Sequence, residues 1–518
     1  MVAQHRARTC LAGLIGAVAI VLAACSPGPD TPADTPSTEV RMGAAYETTN
    51  YDPSSTSSAL ALGTNWHVVE GLYELRMDTY EPYPALAAGS PEWSSETAFT
   101  VTLRQGASFS DGTPVTAEDV VSSFERAMAD GNVYQPMLSF IETVEAADEN
   151  TVSFTLTGPF TIAEQRLAVA KIVPESATRE EMTAMPVGTG PYKYEEIGDT
   201  RVTAVPNEHY TGAYPAQAER LVWDVIKDDT ARTTAANSGT IDVMEAVPAD
   251  SVDMVTEAGM ETAEVNGFNL PFMLFNTKKA PFDDPRVRQA FLYAVNTSML
   301  VDNNMDGKAE PATSFLPETH PNYNRAANVF DHDPDRARQL LDEAGVADLN
   351  VTLLTTDHPW VKDLGPQIQN DLQAIGVDVS LQTEASASVY ANHLDVQDAT
   401  FDVAIAPGDP SVFGNDPALL MTWWYGDNVW TQKRTFWQES DPASFQRLQD
   451  ILTTATELEG AEQQEKWNEA LDLLSEEVPL YPLFHRTMIT AYDPSAVEGF
   501  RPIGTTGLWA LTTAPTSN

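Results

Sequence analysis

The chain has 518 residues, too many for one ordinary core, so two or three domains are expected. Hydrophobic residues make up 42% and charged residues 20%, the balance of a folded chain rather than a disordered one. Lys and Arg total 29 against 75 Asp and Glu, for a net charge of -46; this argues against a nucleic-acid binder and fits an acidic surface outside the cytoplasm or in a salty habitat, with steering of cationic ligands as a second use.

At the N-terminus, Arg6 and Arg8 precede an apolar stretch, Leu11 to Ala24, that is too short to span a bilayer and has the form of a secretory signal. Leu22-Ala23-Ala24-Cys25 resembles a bacterial lipobox, in which the cysteine is acylated and becomes the first mature residue. Residues 1–24 are therefore expected to be a signal peptide, and 25–39, rich in Pro, Ser, Thr and Asp, a tether with nothing to bury. The two cysteines are Cys10 and Cys25. Cleavage would remove the first and lipidation would use the second, leaving neither thiol nor disulfide. The plain alternative is ordinary signal cleavage with a free Cys25. No later apolar stretch is long enough to span a membrane.

Strand signals follow. Phe99, Val101 and Leu103 alternate on one face, as do Val152, Phe154 and Leu156. Between them Asp111-Gly112 marks a turn, and Thr116 with Asp119 has the spacing of a capping box. Val120, Val121, Phe124, Ala127 and Met128 then recur at helical spacing. Residues 71–185 read as a small α+β unit. From about 270 strands and helices alternate. Asp284-Pro285 and Asp333-Pro334 each open a helix, with Asp as the cap and Pro in the first turn. The strand in "NVTLLT", the helix face Leu364, Ile368, Leu372 and Ile375, and the strand in "VDVSL" predict a parallel pair joined by a crossover. One more strand, Phe401 to Ala406, stops at Pro407-Gly408 and is followed at once by Asp409. In open α/β sheets ligands sit outside the carboxyl ends of the strands, which makes Asp409 a candidate by position.

Four stretches, in order, carry a resemblance. They are "VVEGLYE" with the long segment through "LRQGASFSDGTPVTAEDVVSSFERAM", then "PVGTGPYKY", then "FNTKKAPFDDPRVRQAFLYAVN", then "DPDRARQLLDEAGV". Together they resemble the extracellular solute-binding proteins of family 5, the peptide-binding receptors of ABC importers. The resemblance implies an α/β, two-lobed periplasmic-binding-protein-like fold (type II, cluster C-like) with an extra subdomain in the first lobe. Lobe 1 would be 40–70, 186–270 and 485–518, its subdomain 71–185, and lobe 2 271–484. The chain would cross between lobes near 270 and 485, making those crossings the hinge. The signature residues themselves read as turns, caps and tight backbone, not as ligand contacts.

Peptide-binding members carry an Asp after this strand and before an Asp-Pro, and its carboxylate receives the peptide's α-ammonium. Asp409 matches that position and Asp416-Pro417 the later pair, with a longer insert, "PSVFGN", between them. Phe413, Trp423, Trp424 and Tyr425 are candidate pocket walls, with plain core as the alternative for each. Some dipeptide binders present an Arg after the strand near 354; here Thr355 to Trp360 reads "TTDHPW", with none. Either the ligand's carboxylate is held elsewhere or it has none. The implied protein is a monomeric, lipid-anchored receptor on the outer face of the cell membrane, delivering peptides to an importer permease. Oligosaccharides, nickel chelates and opines are the alternative ligands. An enzyme is not expected: a secreted hydrolase finds no G-x-S-x-G, H-E-x-x-H or C-x-x-C in the sequence, and the eight His are scattered, so no catalytic residue, metal site or cofactor is assigned. His358 and His485 read as surface or hydrogen-bonded core.

Overall fold

The computed structural model describes residues 38–396 and 398–516. The proposed signal peptide, Cys25 and all but the end of the tether lie outside the described residues.

Two large sheets carry the fold. The first has eight strands, in the order Glu261–Asn266, Phe484–Tyr492, Val243–Met244, Glu39–Ala44, Arg220–Val225, Arg201–Pro206 and Tyr192–Ile197, with Ala309–Pro311 pairing beside Phe484–Tyr492. The second has five, in the order Asp378–Glu384, Asn350–Thr356, Val403–Gly408, Leu270–Phe275 and Leu480–Pro482. A separate four-stranded sheet, Glu92–Ser95, Ala98–Thr102, Thr151–Leu156 and Ile141–Asp148, lies within the early α+β unit. The chain passes from the first large sheet to the second between Asn266 and Leu270, touches the first again at Ala309–Pro311, and finally returns to it between Pro482 and Phe484.

Local chemistry accounts for many elements. Thr116 and Asp119 form a reciprocal capping box on helix Ala117–Ala127. Asp284 and Asp333 cap helices Pro285–Ala294 and Pro334–Glu343, each with Pro in the first turn. Asn350–Thr356 and Asp378–Glu384 pair in parallel, with helix Gly365–Ala374 between them. The strand expected over 401–406 is displaced: it runs Val403–Gly408 and includes Pro407. Pro407 faces Pro271 across an antiparallel pair, so neither residue asks the other for an N–H.

Val403–Gly408 lies parallel to Asn350–Thr356 and antiparallel to Leu270–Phe275. The carboxyl ends of the parallel strands therefore share one sheet edge with the start of Leu270–Phe275. Leu480–Pro482 ends at that edge too, since Pro482 pairs with Phe272. The passages near 270 and 483, and the residues that follow Thr356 and Gly408, thus gather at one place. At that place Gly267 N–H donates to the Arg486 carbonyl at 3.0 Å. A Cβ on Gly267 would collide with the carbonyl of Gly504, so glycine lets the segment at 504 lie against this crossing. Among the described residues no helix is long and apolar enough to cross a membrane.

Candidate functional site

Asp409 stands one residue beyond Val403–Gly408 and caps the short turn Pro410–Val412. Its Oδ1 accepts from the backbone N–H of Ser411 at 3.1 Å and from the Ser411 hydroxyl. Its Oδ2 accepts from the Thr505 hydroxyl at 3.0 Å and the Thr506 N–H at 2.9 Å. Every donor is neutral. Burial raises the pKa of this carboxyl above the usual aspartate value, and these four hydrogen bonds only partly offset it. The residue as a whole is half-buried. Thr505 and Thr506 belong to the segment that follows the first large sheet, so the carboxylate joins the two sheets' surroundings.

Around it stand other polar groups. Tyr80, in a left-handed backbone conformation, lies beside Asp409, Ser411 and Thr505, and burial raises its hydroxyl pKa. Glu245 is buried and accepts from Ala45 N at 2.8 Å and Gly507 N at 2.7 Å; burial raises its pKa also. Tyr46, between Glu245 and Arg486, is pushed up to about 12 by burial.

Arg486 enters from strand Phe484–Tyr492, just past the second passage. Its guanidinium carbon lies 4.0 Å from the ring centre of Trp360, which follows strand Asn350–Thr356. Burial lowers its pKa, and the nearby Tyr46, Asp229 and Asp409 pull the other way. Sequence reading missed this residue, together with Ser411, Thr505, Thr506 and Tyr46. The alternation in "FHRTMIT" marks a strand and nothing more.

The expected aromatic walls divide. Phe413 packs edge-on against Tyr134 at 5.2 Å and lies 5.3 Å from Trp423, which is half-buried. Trp424 is 1% exposed, sandwiched near Phe272 and Trp430 at 4.1 and 4.2 Å. Its ring lies where a side chain on Gly408 would be, and its Nε1 has no partner. Tyr425 is 0% exposed and donates to the Leu480 carbonyl at 2.9 Å. It has no surface left for a ligand. Helix Pro417–Tyr425 is apolar almost throughout, the pattern of a helix buried on all sides, and that was the available signal.

Asp416 caps this helix through Leu419 N–H at 2.8 Å. It also forms a two-point ion pair with Arg166, at 2.6 Å (Nη2 to Oδ1) and 3.3 Å (Nε to Oδ2), with both side chains about as buried as core, 4% and 5% exposed. Arg166 in addition donates to the Met137 carbonyl at 2.9 Å. The pair ties the early α+β unit to the second large sheet's neighbourhood. Beside it lies a cavity of about 350 Å³ lined by Gln135, Phe140, Thr422 and Gln449; Asp409 is not on its wall. His485 Nε2–H donates to the Ser314 carbonyl at 3.1 Å, and His358 lies beside Thr356. Among the described residues no cluster of His, Cys, Asp and Glu could hold a metal ion.

Comparison with known proteins fits this geometry. The family described as "Bacterial extracellular solute-binding proteins, family 5 Middle" matches residues 81–431. The probable D,D-dipeptide-binding periplasmic protein DdpA of Escherichia coli is 27% identical over 341 residues, 63% of this chain; the match spans 65% of that protein, just under two thirds of its length. The glutathione-binding protein GsiB of Salmonella typhimurium is 25% identical over 89% of this chain and 90% of its own. Among solved structures, the periplasmic binding protein DppA of Helicobacter pylori, in complex with the peptide STSA, superposes with a TM-score of 0.80 at 22% identity, covering 92% of this chain and 98% of that one. The fold is the two-lobed periplasmic-binding-protein fold, and the chain belongs to the family 5 extracellular solute-binding proteins.

Proposed function

We propose that this family 5 protein captures peptides between its lobes and delivers them to the permease of an ABC importer. The observation that carries the reading is Asp409: a carboxylate at the carboxyl end of a parallel strand, enclosed yet held by neutral donors alone. A carboxylate so placed gains most from a cation that comes with the ligand, and an α-ammonium supplies one in a charge-assisted hydrogen bond. The relatives named for dipeptides and glutathione, and the peptide in the DppA structure, support the same class. Phe413 and Trp423 supply apolar surface near the site, and Trp424 acts from beneath, as the floor under Gly408.

The lobes in this proposal are 40–70, 186–270 and 485–518 with the subdomain 71–185, against 271–484. Closure would bend the two passages near 270 and 485, and ligand favours the closed form only through its greater affinity for that form. The protein acts as a receptor rather than an enzyme, as a monomer, anchored outside the cell through acylated Cys25. Stable attachment needs at least two acyl chains. Label from a palmitate analogue is expected in the native protein and absent from Cys25→Ser.

The test of the ligand class is calorimetry with a pooled peptide library and its N-acetylated copy. The free library is expected to bind and the acetylated copy to bind poorly. Equal binding of the two would remove the ammonium role from Asp409.

A further inference from the structure

Arg486, half-buried, differs from the buried arginines. Arg232 is buried and donates to the carbonyls of Ile226, Glu245 and Ala246 and to Asp229. Arg288, also buried, donates to the carbonyls of Phe282 and Glu477. Arg166 has Asp416 and the Met137 carbonyl. Arg486 has no hydrogen bond or ion pair from its guanidinium among the described residues; it has only the face of Trp360. A guanidinium partly withdrawn from water, with no acceptor from the chain, gains from an anion that brings one.

The placement says which anion. Trp360 and Asp409 follow neighbouring parallel strands, Asn350–Thr356 and Val403–Gly408, so the arginine and the aspartate face one sheet edge from opposite lobes. The charge of Asp409 acts on Arg486, but the two side chains form no ion pair. A guanidinium stacked on an indole keeps its in-plane N–H edge free, and that edge matches the two oxygens of a carboxylate. A dianion would meet Asp409 and Glu245 nearby in a chain of net charge -46, so a singly charged group fits better.

We propose that Arg486, braced on Trp360, receives the carboxylate of the ligand whose ammonium Asp409 receives, so that the site selects short zwitterions. This rests on the peptide reading above. It assigns the carboxylate to a strand of the first large sheet, although the stretch Thr355 to Trp360 contains no arginine.

The experiment compares a library of free di- to pentapeptides with its C-terminally amidated copy and its N-acetylated copy, on the native protein, Arg486→Gln and Arg486→Lys. Native protein is expected to bind the free library at least tenfold more tightly than the amides. Arg486→Gln should bring the free library down to the amide level and leave amide binding unchanged, with Arg486→Lys in between. Equal affinity for free and amidated peptides in the native protein would overturn the proposal. So would an unchanged free-to-amide ratio in Arg486→Gln, which is what a purely structural arginine predicts. If that variant does not fold, the comparison on native protein decides alone. Displacement of the library by inorganic phosphate would assign the position to a phosphate group and reject the carboxylate. Sensitivity to acetylation but not amidation would leave the Asp409 reading standing and remove this one. If the free library does not bind at all, the peptide reading fails, and native mass spectrometry of protein from its own host decides. A co-purified acid that Arg486→Gln loses would sustain the role of Arg486, and a ligand without an acidic group would end it.

Discussion

Asp416 and Asp409 leave the same loop, and the protein treats their charges differently. Asp416 meets Arg166 at two points in a dry interior, caps a helix, and has no open face. Asp409 meets only hydroxyls and amides, and keeps part of its surface free. The arginines mirror this: Arg166 is fully engaged, Arg486 rests on an indole and nothing more. The contrast separates structure from readiness to bind. Burial alone marks neither residue as functional; what distinguishes them is whether the opposite charge is already supplied by the chain.

The comparison breaks most easily at the closed pair. Arg166→Met strands the buried Asp416 carboxylate, and removing one partner of such a pair costs about 3–5 kcal/mol. A large loss in urea denaturation is expected, and an unchanged midpoint would mean that the pair is not the tie it resembles. Asp409→Ala should do the reverse. It should cost less stability, about 0.5–2 kcal/mol for the lost cap, and weaken peptide binding by roughly 30-fold or more, since about 2–5 kcal/mol follows loss of one partner of a desolvated charge pair and about 1.4 is tenfold. Peptide affinity should also fall on both sides of neutrality: in acid as the raised Asp409 carboxyl protonates, and in base as the free amine, near pH ~7.7–8.0, loses its proton.

His67 extends the comparison to a group whose polar atoms are all taken. It is buried, its Nδ1 lies 3.0 Å from the Gly63 carbonyl, and Ala510 N–H donates to its Nε2 at 2.8 Å. Burial lowers its pKa to about 4 from 6.5. The folded form thus keeps it neutral while the unfolded chain binds a proton. Its contribution is complete above pH 6.5 and is lost as pH falls towards 4, by roughly 3 kcal/mol in all. Melting curves across that range should flatten in His67→Gln; parallel curves would show that another group sets the slope. The smallest effect belongs to Arg338 and Asp335, an ion pair in solvent with Asp335 almost fully exposed. Arg338→Ala should move stability by less than about 1 kcal/mol.

Much of this architecture is written locally. The capping box at Thr116 and the Asp-Pro openings at 284 and 333 depend on residues within one turn, so they read directly from sequence. The parallel pair 350–356 and 378–384 is legible because one short helix joins its strands. The eight-stranded sheet is not: it pairs Glu39–Ala44 with Arg220–Val225, and Glu261–Asn266 with Phe484–Tyr492, and no local pattern fixes a register across such distances. Asp409 was visible because a strand end is a local feature. Arg486 was not, because the lack of a partner is a property of everything around a side chain. Trp424 and Tyr425 misled by residue type, since an aromatic cluster serves a core as well as a wall.

The Gly267 N–H bonded to the Arg486 carbonyl has a mechanical consequence. One strand between two bodies is a swivel, free to turn about every axis. Strands bonded side by side, as Gly267 and Ala309–Pro311 are to the segment 483–486, are a leaf spring: they flex across the ribbon's thin direction and resist torsion and shear. Substituting Gly267 would press the joint against the neighbouring backbone at Gly504. If the proposed lobes close about this joint, it would bring them back to the same alignment after every stroke, so that the proposed charges at Asp409 and Arg486 would meet the two ends of a small molecule in register without a rigid frame to hold them there.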